Sequence, residues 1–290
     1  MPKKPWLKYT LICTLLVFVT IAIAAVYKYN IKTNINLENN MVTHFIDVGQ
    51  GDCILIQVNN KNLLIDSGTC DSTKKIIRYL KNNNITKLDY VIATHPHDDH
   101  IGGMASVIKS FKVGEFYAPK VTSSSESFED MIRALKSKGL KIKIAKPNIT
   151  LDLGPSVTCL MLSPNKTTYK DTNNYSCVLK ISYKNSTYLF TGDMESLSED
   201  EILNKGYDLK AEVLKVAHHG SKSSTTQEFL NRVSPKIAVI SCGTYNNYGH
   251  PNKETLDKLK NLNCIIYRTD LEQNIVLISD GISTSRLVGK

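Results

Sequence analysis

Residues 91–103 read V-I-A-T-H-P-H-D-D-H-I-G-G. The first residues of this stretch predict a short buried strand at residues 90–94. Three histidines and two aspartates follow the strand within six positions, and they are His95, His97, Asp98, Asp99 and His100. Imidazole nitrogen and carboxylate oxygen together suit Zn²⁺, and with more oxygen ligands they suit Mn²⁺ or Fe. The stretch therefore predicts a metal site at the end of a strand.

The spacing of these residues suggests how they divide between ions. His95 and His97 stand two positions apart, so both can face one ion from an extended loop. Asp99 and His100 can then turn to a second ion beside the first. The two glycines that follow have no side chain, so the backbone can pass close to neighbouring atoms after these ligand residues. A polar loop with chance histidines is the alternative, but this density of ligands after an apolar strand makes coincidence rare.

The motif H-P-H-D-D-H-I-G-G resembles the signature of the metallo-β-lactamase superfamily, whose members are mostly hydrolases with one or two metal ions. Residues 41–52, M-V-T-H-F-I-D-V-G-Q-G-D, are similar to the opening of the soluble domain of ComEC-type competence proteins in that superfamily. In the family, the D-x-G segment, here residues 66–68, approaches the loop that carries H-P-H-D-D-H, residues 95–100, which we call the metal loop. The resemblance implies an α/β fold, the four-layer αββα sandwich, across nearly all of residues 42–288.

Two later motifs also follow strand-like runs. In T-G-D, residues 191–193, the resemblance gives Asp193 the role of bridging two ions. The H-H-G-S motif resembles the segment that supplies the last metal histidine in ComEC-type proteins. We assign His218 to metal and keep His219 as the close alternative. The histidine left free is expected to bind a substrate phosphate or to transfer a proton.

One departure from the wider superfamily affects the first ion. Many members place another metal histidine before the T-G-D aspartate, but no histidine lies between His100 and His218 here. D-T-N-N-Y-S, residues 171–176, stands there, as similar N-N-x-S segments do in ComEC-type domains. The first ion would keep only His95, His97 and Asp193, which favours weak or Mn²⁺ occupancy and argues against a β-lactamase.

The resulting site has three predicted parts. The expected cofactors are two divalent metal ions, Zn or Mn, which would activate a water for in-line attack on a phosphodiester. The predicted metal ligands are His95, His97, Asp99, His100, Asp193 and His218. The predicted catalytic residues are Asp99, His219 and His250. The predicted substrate contacts are Asn174, Ser221 and Lys222.

Two of these predictions have structural alternatives. His250 lies in N-Y-G-H-P, residues 247–251, which resembles a Y-G-H-P loop of the family, and it could donate a proton or contact substrate. It could equally be a turn histidine before proline. Residues 221–224 could bind a phosphate, or they could form the first turn of a helix in which Thr225 and Glu228 make a capping box.

Composition sets wider limits. The chain has 290 residues, 42% of them hydrophobic, which is enough for one large domain or two small ones. Its net charge of +9 favours acidic partners such as nucleic acid, wall polyanions or anionic lipid. Solvated surface lysines are the alternative explanation. Seven cysteines without a C-x-x-C pair argue against a zinc ribbon or a thioredoxin-type redox site.

The N-terminal segment is apolar at residues 11–26 apart from Thr14 and Thr20. With its flanks it approaches the roughly 20 residues that span a bilayer, and the lysines before it favour an inside N-terminus. Alanines at 22, 24 and 25 leave a cleaved signal peptide as the alternative. We therefore predict a membrane anchor or signal peptide at 1–29, a linker at 30–40 and a hydrolase domain at 41–290.

The combined prediction is one transmembrane helix followed by an extracytoplasmic metal-dependent hydrolase at the cell membrane, or a secreted one if the segment is cleaved. The expected substrate is DNA or another phosphodiester polyanion, which makes the chain a phosphodiesterase or nuclease. A wall or lipid phosphodiesterase of the phosphorylcholine-esterase type is the first alternative. A non-catalytic binding module on the same fold is the second. No protein partner is predicted.

Overall fold

The computed structural model describes residues 13–20 and 39–287. The chain divides into two units, Met1–Asn36 with Lys290, and Leu37–Gly289. In the first unit, residues 13–20 are helical with exposed side chains. The rest of the predicted apolar segment and most of the predicted linker lie outside the described residues. Among the helices that are described, none is long and apolar enough to cross a membrane.

The strands and helices of the second unit alternate along most of its length. In chain order the strands are β1 Met41–Phe45, β2 Ile54–Val58, β3 Lys61–Ile65, β4 Lys87–Ile92, β5 Lys112–Ala118, β6 Ile142–Ile144, β7 Val157–Ser163, β8 Val178–Tyr183, β9 Ser186–Phe190, β10 Val213–Lys215, β11 Ile237–Ile240, β12 Ile265–Arg268, β13 Ile275–Ser279 and β14 Thr284–Arg286. The helices are α1 Thr73–Asn82, α2 Asp98–Ile101, α3 Met104–Ser110, α4 Glu126–Ser137, α5 Ser196–Asn204, α6 Gln227–Val233, α7 Lys253–Asn261 and α8 Thr269–Glu272. Two 3₁₀ turns span Thr172–Tyr175 and Ala217–Gly220.

Within residues 39–287 the strands form two sheets. One sheet has the order β14-β13-β1-β2-β3-β4-β5-β6, and the other has the order β12-β11-β10-β9-β8-β7. An apolar layer between the sheets includes Phe45, Ile56, Tyr188, Phe190 and Val239. Each fully buried aliphatic or aromatic side chain of this kind contributes about 1.5–3 kcal/mol relative to exposure.

Two further apolar layers lie between the sheets and the helices. Against the first sheet pack Ile76 and Leu80 of α1, Val107 of α3 and Leu135 of α4. Against the second sheet pack Ile202 of α5, Phe229 of α6 and Leu259 of α7. Three apolar layers separate four layers of secondary structure, so the predicted αββα architecture is confirmed.

The parallel parts of the two sheets position the site. Strands β3, β4 and β5 run parallel in the first sheet, and β9, β10 and β11 run parallel in the second. Asp66 follows β3, His95 follows β4, Asp193 follows β9 and His218 follows β10. Since the loops after parallel strands meet at one edge, the chemical motifs come together there.

Several local predictions were wrong in detail. The sequence pattern predicts one helix from about Ile101 to Ser110, but the structure has two helices, α2 and α3, with Gly102 and Gly103 between them. A Cβ at Gly102 would lie 2.7 Å from the carbonyl carbon of Thr69. The backbone at Gly102 therefore lies closer to the backbone at Thr69 than any residue with a side chain would allow. Strand β4 ends at Ile92 instead of Thr94, and strand β5 was not predicted.

The capping box predicted at Thr225 is also wrong. Thr226 is the N-cap of α6, and its hydroxyl accepts the Phe229 N–H at 3.3 Å. Thr225 instead has a left-handed φ of 57°. Its N–H and that of Thr226 donate to the buried carboxylate of Glu199, which replaces the predicted contact from Glu228.

Candidate metal centre

Four ligand-bearing side chains converge where the two sheets meet. One nitrogen or oxygen from each of Asp99, His100, Asp193 and His219 lies within 4.8 Å of all the others. Nε2 of His100 and Nε2 of His219 each lie 3.2 Å from Oδ2 of Asp193. Nε2 of His219 is also 3.2 Å from Oδ2 of Asp99. We call these four residues the metal cluster.

The outer nitrogens of the two histidines fix their orientation. Nδ1 of His100 lies 2.7 Å from Asp66 Oδ2 and donates its proton there. The Asp66 carboxylate is held in turn by the backbone N–H and the hydroxyl of Thr94, at 2.8 and 2.7 Å. Nδ1 of His219 donates to the carbonyl of Ser241 at 2.9 Å. Both rings therefore present Nε2 to the cluster, as supporting partners do for metal-binding histidines.

The cluster fits a divalent cation. Nε2 of His100 and of His219 are buried and have no hydrogen-bond partner, and neither has Oδ1 of Asp193. Two imidazole nitrogens that face carboxylate oxygens at 3.2 Å need positive charge between the groups, supplied by protons or by a cation. Two nitrogens and two carboxylates form a donor set that suits Zn²⁺ or Mn²⁺.

The pKa values of the metal cluster reflect the attraction between its two carboxylates and its two imidazoles. Burial disfavours imidazolium, but Asp193 and Asp99 outweigh it and hold the pKa of His100 above its ordinary range. The same balance, led by Asp193, raises the pKa of His219 to about 9. Burial would raise the pKa of both carboxyl groups, yet the attraction of His100 lowers the pKa of Asp99 and that of Asp193.

His95 and His97 lie beside the cluster. Nε2 of His95 is 3.0 Å from Nδ1 of His97, and the rings of His95 and His100 have centroids 4.1 Å apart. Burial, aided by His100, holds the pKa of His95 well below its ordinary value. Ser176 places its Oγ 3.4 Å from His95 Nδ1 and accepts the N–H of Asp193 at 3.0 Å.

The two adjacent histidines after β10 have different environments. Both have left-handed backbones, with φ of 49° at His218 and 54° at His219, and this turn directs His219 into the metal cluster. Nε2 of His218 stays 3.8 Å from Asp193 Oδ2, and its Nδ1 lies 3.5 Å from Glu195 Oε1. The preference for His218 as the metal histidine is thus corrected by the geometry, which favours the alternative, His219. Residue type alone could not separate the two.

A buried ion pair lies beneath the cluster and was not predicted. Lys215 is fully buried, and its Nζ lies 2.5 Å from Asp52 Oδ2 and 3.9 Å from Asp193 Oδ1. Nζ also donates to the carbonyl of Gly192 at 3.3 Å. Burial would lower the pKa of Lys215, but Asp52 and then Asp193 raise it above its ordinary value. A lysine inside the apolar run 213–217 was the available signal.

The G-Q-G-D motif serves the same region through its backbone. A Cβ at Gly51 would collide with the Asp99 carbonyl, which accepts the N–H of Asp52 at 3.2 Å. Gln50 lines the cleft above the cluster, and its Oε1 accepts the Gly243 N–H at 3.1 Å. The motif therefore holds the metal loop through the Asp99 carbonyl and the loop after β11 through the Gly243 N–H.

The metal cluster opens into a cleft of about 480 Å³. Its lining comprises Gln50, Thr69, His97, Asp98, Asp99, Asn173, Asp193, His218, His219, Tyr248 and His250. The predicted site residue His250 is thus in the cleft. Burial and then His218 lower the pKa of His250 to about 4.

The three predicted substrate contacts are absent from that lining, as far as the described residues go. Asn174 is buried, and its Oδ1 accepts the N–H groups of Glu195 and Ser198, both at 3.3 Å. Ser221 is buried against Ser223, with their hydroxyl oxygens 3.0 Å apart. Lys222 is exposed outside the cleft. Asn174 therefore holds the start of helix α5, and its neighbour Asn173 lines the cleft.

The family model described as the metallo-beta-lactamase superfamily matches residues 46–244. The chain belongs to the metallo-β-lactamase superfamily. Within that superfamily it is 33% identical to ComE operon protein 3 of Bacillus subtilis (strain 168), over 78% of this chain and 31% of that protein. It is 30% identical to competence protein ComA of Neisseria gonorrhoeae, over 81% of this chain and 32% of that protein. These relatives confirm the resemblance to ComEC-type competence proteins. The chain spans about a third of their length.

Solved structures of the superfamily share the fold. The metallo-beta-lactamase fold protein YhfI from Bacillus subtilis aligns with a TM-score of 0.57 at 15% identity, over 83% of this chain and all of that one. Igni18, a metallo hydrolase from Ignicoccus hospitalis KIN4/I, aligns with a TM-score of 0.54 at 16% identity, over 81% and 98% of the two chains. Similarity at this level supports the architecture only.

Proposed function

We propose that this chain is a metal-dependent phosphodiesterase that acts on DNA. The observation that carries the proposal is the metal cluster at the base of an open cleft, with two buried, unpaired imidazole nitrogens facing two carboxylates. A structural role alone does not account for unpaired donors of this kind, because buried polar groups without partners are costly.

The ligand residues divide into two sets that share one aspartate. Asp99, His100, Asp193 and His219 would hold one divalent ion, and His95, His97 and Asp193 would hold a second. When bound, such ions supply an activated water and positive charge for the phosphoryl oxygens. The second set has only three protein ligands, so we expect it to bind its ion more weakly.

Other residues in the cleft are placed to contact substrate. His218 and His250 have ring centroids 5.4 Å apart, and both line the cleft beside the cluster. Glu195 lies 3.5 Å from His218 Nδ1 and accepts the Ser223 hydroxyl at 2.8 Å. This carboxylate orients His218 with Nε2 on the side of Asp193, where a phosphodiester oxygen would lie.

The choice of DNA rests on charge and on the relatives. A net charge of +9 favours a polyanion. The similar proteins include competence protein ComA of Neisseria gonorrhoeae and recombination protein 2 of Haemophilus influenzae, whose names concern processes that handle DNA. The apolar residues 11–26 and the lysines before them support a membrane-anchored protein with this unit outside the cytoplasm. The complete metal cluster favours an enzyme over a binding module.

Side-by-side hydrolysis tests the proposal. The full-length chain with Mn²⁺ or Zn²⁺ would be offered single-stranded DNA, duplex DNA and a phosphorylcholine diester. We expect DNA cleavage that Asp193→Asn abolishes and that Asp257→Asn, at a half-exposed position of α7 outside the cleft lining, leaves intact. Cleavage of the phosphorylcholine diester alone would contradict the DNA proposal and favour a wall or lipid phosphodiesterase. No hydrolysis with either metal would contradict the enzymatic proposal.

A further inference from the structure

Tyr248 is an exposed aromatic residue at the mouth of the cleft. It lines the cleft, yet 73% of its surface remains accessible. An exposed tyrosine usually lies with its ring along the protein surface, where part of its apolar area is covered. At Tyr248 a neighbouring ring covers part of one face, and most of the remaining surface is open to solvent.

The neighbour is His250, which connects Tyr248 to the metal cluster. The rings of Tyr248 and His250 are stacked, with centroids 5.8 Å apart and planes inclined by 26°. The ring of His250 meets the edge of His218 at 5.4 Å, and His218 Nε2 lies 3.8 Å from Asp193 Oδ2. A row of three rings therefore runs from the cluster to the outer rim of the cleft and ends in the open ring of Tyr248.

The loop that carries Tyr248 is held in place by its own side chains. Nδ2 of Asn246 donates to the carbonyls of Gly243 and His250, at 2.9 and 2.5 Å. Oδ1 of Asn246 accepts the His250 N–H at 3.0 Å. Gln50 holds the start of the loop through the Gly243 N–H. The backbone on both sides of Tyr248 is thus held before any ligand arrives, which reduces the entropy lost on binding.

We propose that Tyr248 is a stacking subsite for an unpaired nucleobase next to the phosphodiester that lies over the metal cluster. The inference rests on the proposed function and deepens it, because it names single-stranded nucleic acid as the substrate form. A flat ring open on one side suits a base, which has two flat faces, and stacking on aromatic residues tolerates every base. In a duplex, both faces of each base are already covered by neighbours.

Base-bearing and abasic substrates test the subsite. Full-length protein with Mn²⁺ would cleave a single-stranded thymidine oligonucleotide and an oligomer of equal length with abasic residues. Stacking of one base on an aromatic side chain corresponds to roughly a 5- to 150-fold effect. We expect Tyr248→Ala to lower kcat/KM by that factor on the thymidine oligomer and to leave the abasic oligomer unaffected. Tyr248→Phe, which keeps the ring, should behave as the wild type.

Tyr245 provides a matched control on the same loop. It is 98% exposed and lies outside the cleft lining, so Tyr245→Ala should not discriminate between the two oligomers. Equal loss on both oligomers in Tyr248→Ala, or the same pattern in Tyr245→Ala, would overturn the proposal. Wild-type protein that cleaves both oligomers with equal kcat/KM would do so as well.

A binding measurement separates this inference from the proposed function. Fluorescence anisotropy with the same labelled oligomers in a chelator needs no hydrolysis. If the wild type cleaves neither oligomer, the proposed activity fails, while a loss of thymidine-oligomer binding confined to Tyr248→Ala would still support the subsite. Unchanged binding in that variant would overturn it. Tyr248-dependent binding of phosphorylcholine that exceeds binding of the oligonucleotide would assign the ring to a quaternary ammonium group and would also overturn it.

Discussion

Replacing Lys215 with methionine removes the cation beneath the metal cluster while keeping a side chain of similar length. The Asp52 carboxylate, 2.5 Å away and 1% exposed, would then be buried without its partner. Breaking a buried ion pair from one side costs about 3–5 kcal/mol, since the remaining charge cannot return to water. At about 2–4 °C per kcal/mol for a unit of this size, we expect the Tm to fall by roughly 6–20 °C.

Lys180→Met is the matched control for this prediction. Lys180 is also largely buried in a strand and pairs with Asp208 at 2.8 Å, but the Asp208 side chain is 81% exposed. Water can solvate the carboxylate that is left, so the loss should stay near about 1 kcal/mol or below. Thermal and chemical unfolding of the metal-free proteins measure both variants.

A double variant tests the reason for the loss. Lys215→Met with Asp52→Asn removes both charges, so it should be more stable than Lys215→Met alone. The reasoning would be refuted if Lys215→Met cost no more than Lys180→Met. It would also be refuted if the two changes at the buried pair simply added.

Three further predictions concern the metal loop, acid stability and substrate binding. Gly51→Ala should destabilise the protein by about 1–3 kcal/mol or more and weaken metal binding, because its Cβ would displace the Asp99 carbonyl. Gly139→Ala, at a φ of 64° with open space around it, should cost less and leave metal binding unchanged. Equal effects of the two variants in denaturation and metal titration would be evidence against this. Burial would raise the pKa of Asp89, but the hydrogen bonds from Lys87 and from the Asn62 N–H lower it. The ionised carboxylate therefore stabilises the folded protein fully above its unfolded pKa of about 3.9, and this stability is lost as the pH falls through the folded pKa. The free energy of unfolding of Asp89→Asn should fall less steeply with acid than that of the wild type, and an unchanged pH dependence would contradict this. DNA affinity should fall with salt at a log-log slope of at least about −3, whereas a slope near zero would exclude several phosphate contacts.

Sequence patterns predicted the fold well because the apolar runs and the motifs are consistent with each other. Helix α4 carries Phe128, Met131, Ile132 and Leu135 at helical spacing, a pattern that predicts it directly. The resemblance to the metallo-β-lactamase superfamily implied the four-layer sandwich. Strand β5 was missed because K-V-G-E-F-Y-A contains a glycine and a glutamate, and its pairing on both sides decides its structure. The division of residues 101–110 into two helices depends on close packing at Gly102, which is a tertiary constraint.

The convergence of Asp99, His100 and Asp193 agrees with the prediction from the sequence, whereas the partners of these side chains were not predictable. The density of ligand residues after a strand pointed to His100, and the resemblance of T-G-D to the superfamily motif pointed to Asp193. The choice between His218 and His219 depended on a left-handed turn that no local pattern encodes. Lys215 and Asp52 are 163 positions apart and meet only through the two sheets, so neither was recognisable as a pair.

Metal content in two neighbouring variants tests the central claim most directly. Full-length wild type, His219→Ala and His218→Ala would be saturated with Mn²⁺ or Zn²⁺, dialysed and examined by elemental analysis, with cooperative unfolding as the check on folding. We predict that His219→Ala loses an ion relative to the wild type, because its Nε2 faces both Asp99 and Asp193, and that His218→Ala keeps the wild-type content. Loss of metal in His218→Ala with full content in His219→Ala would contradict the metal cluster as assigned.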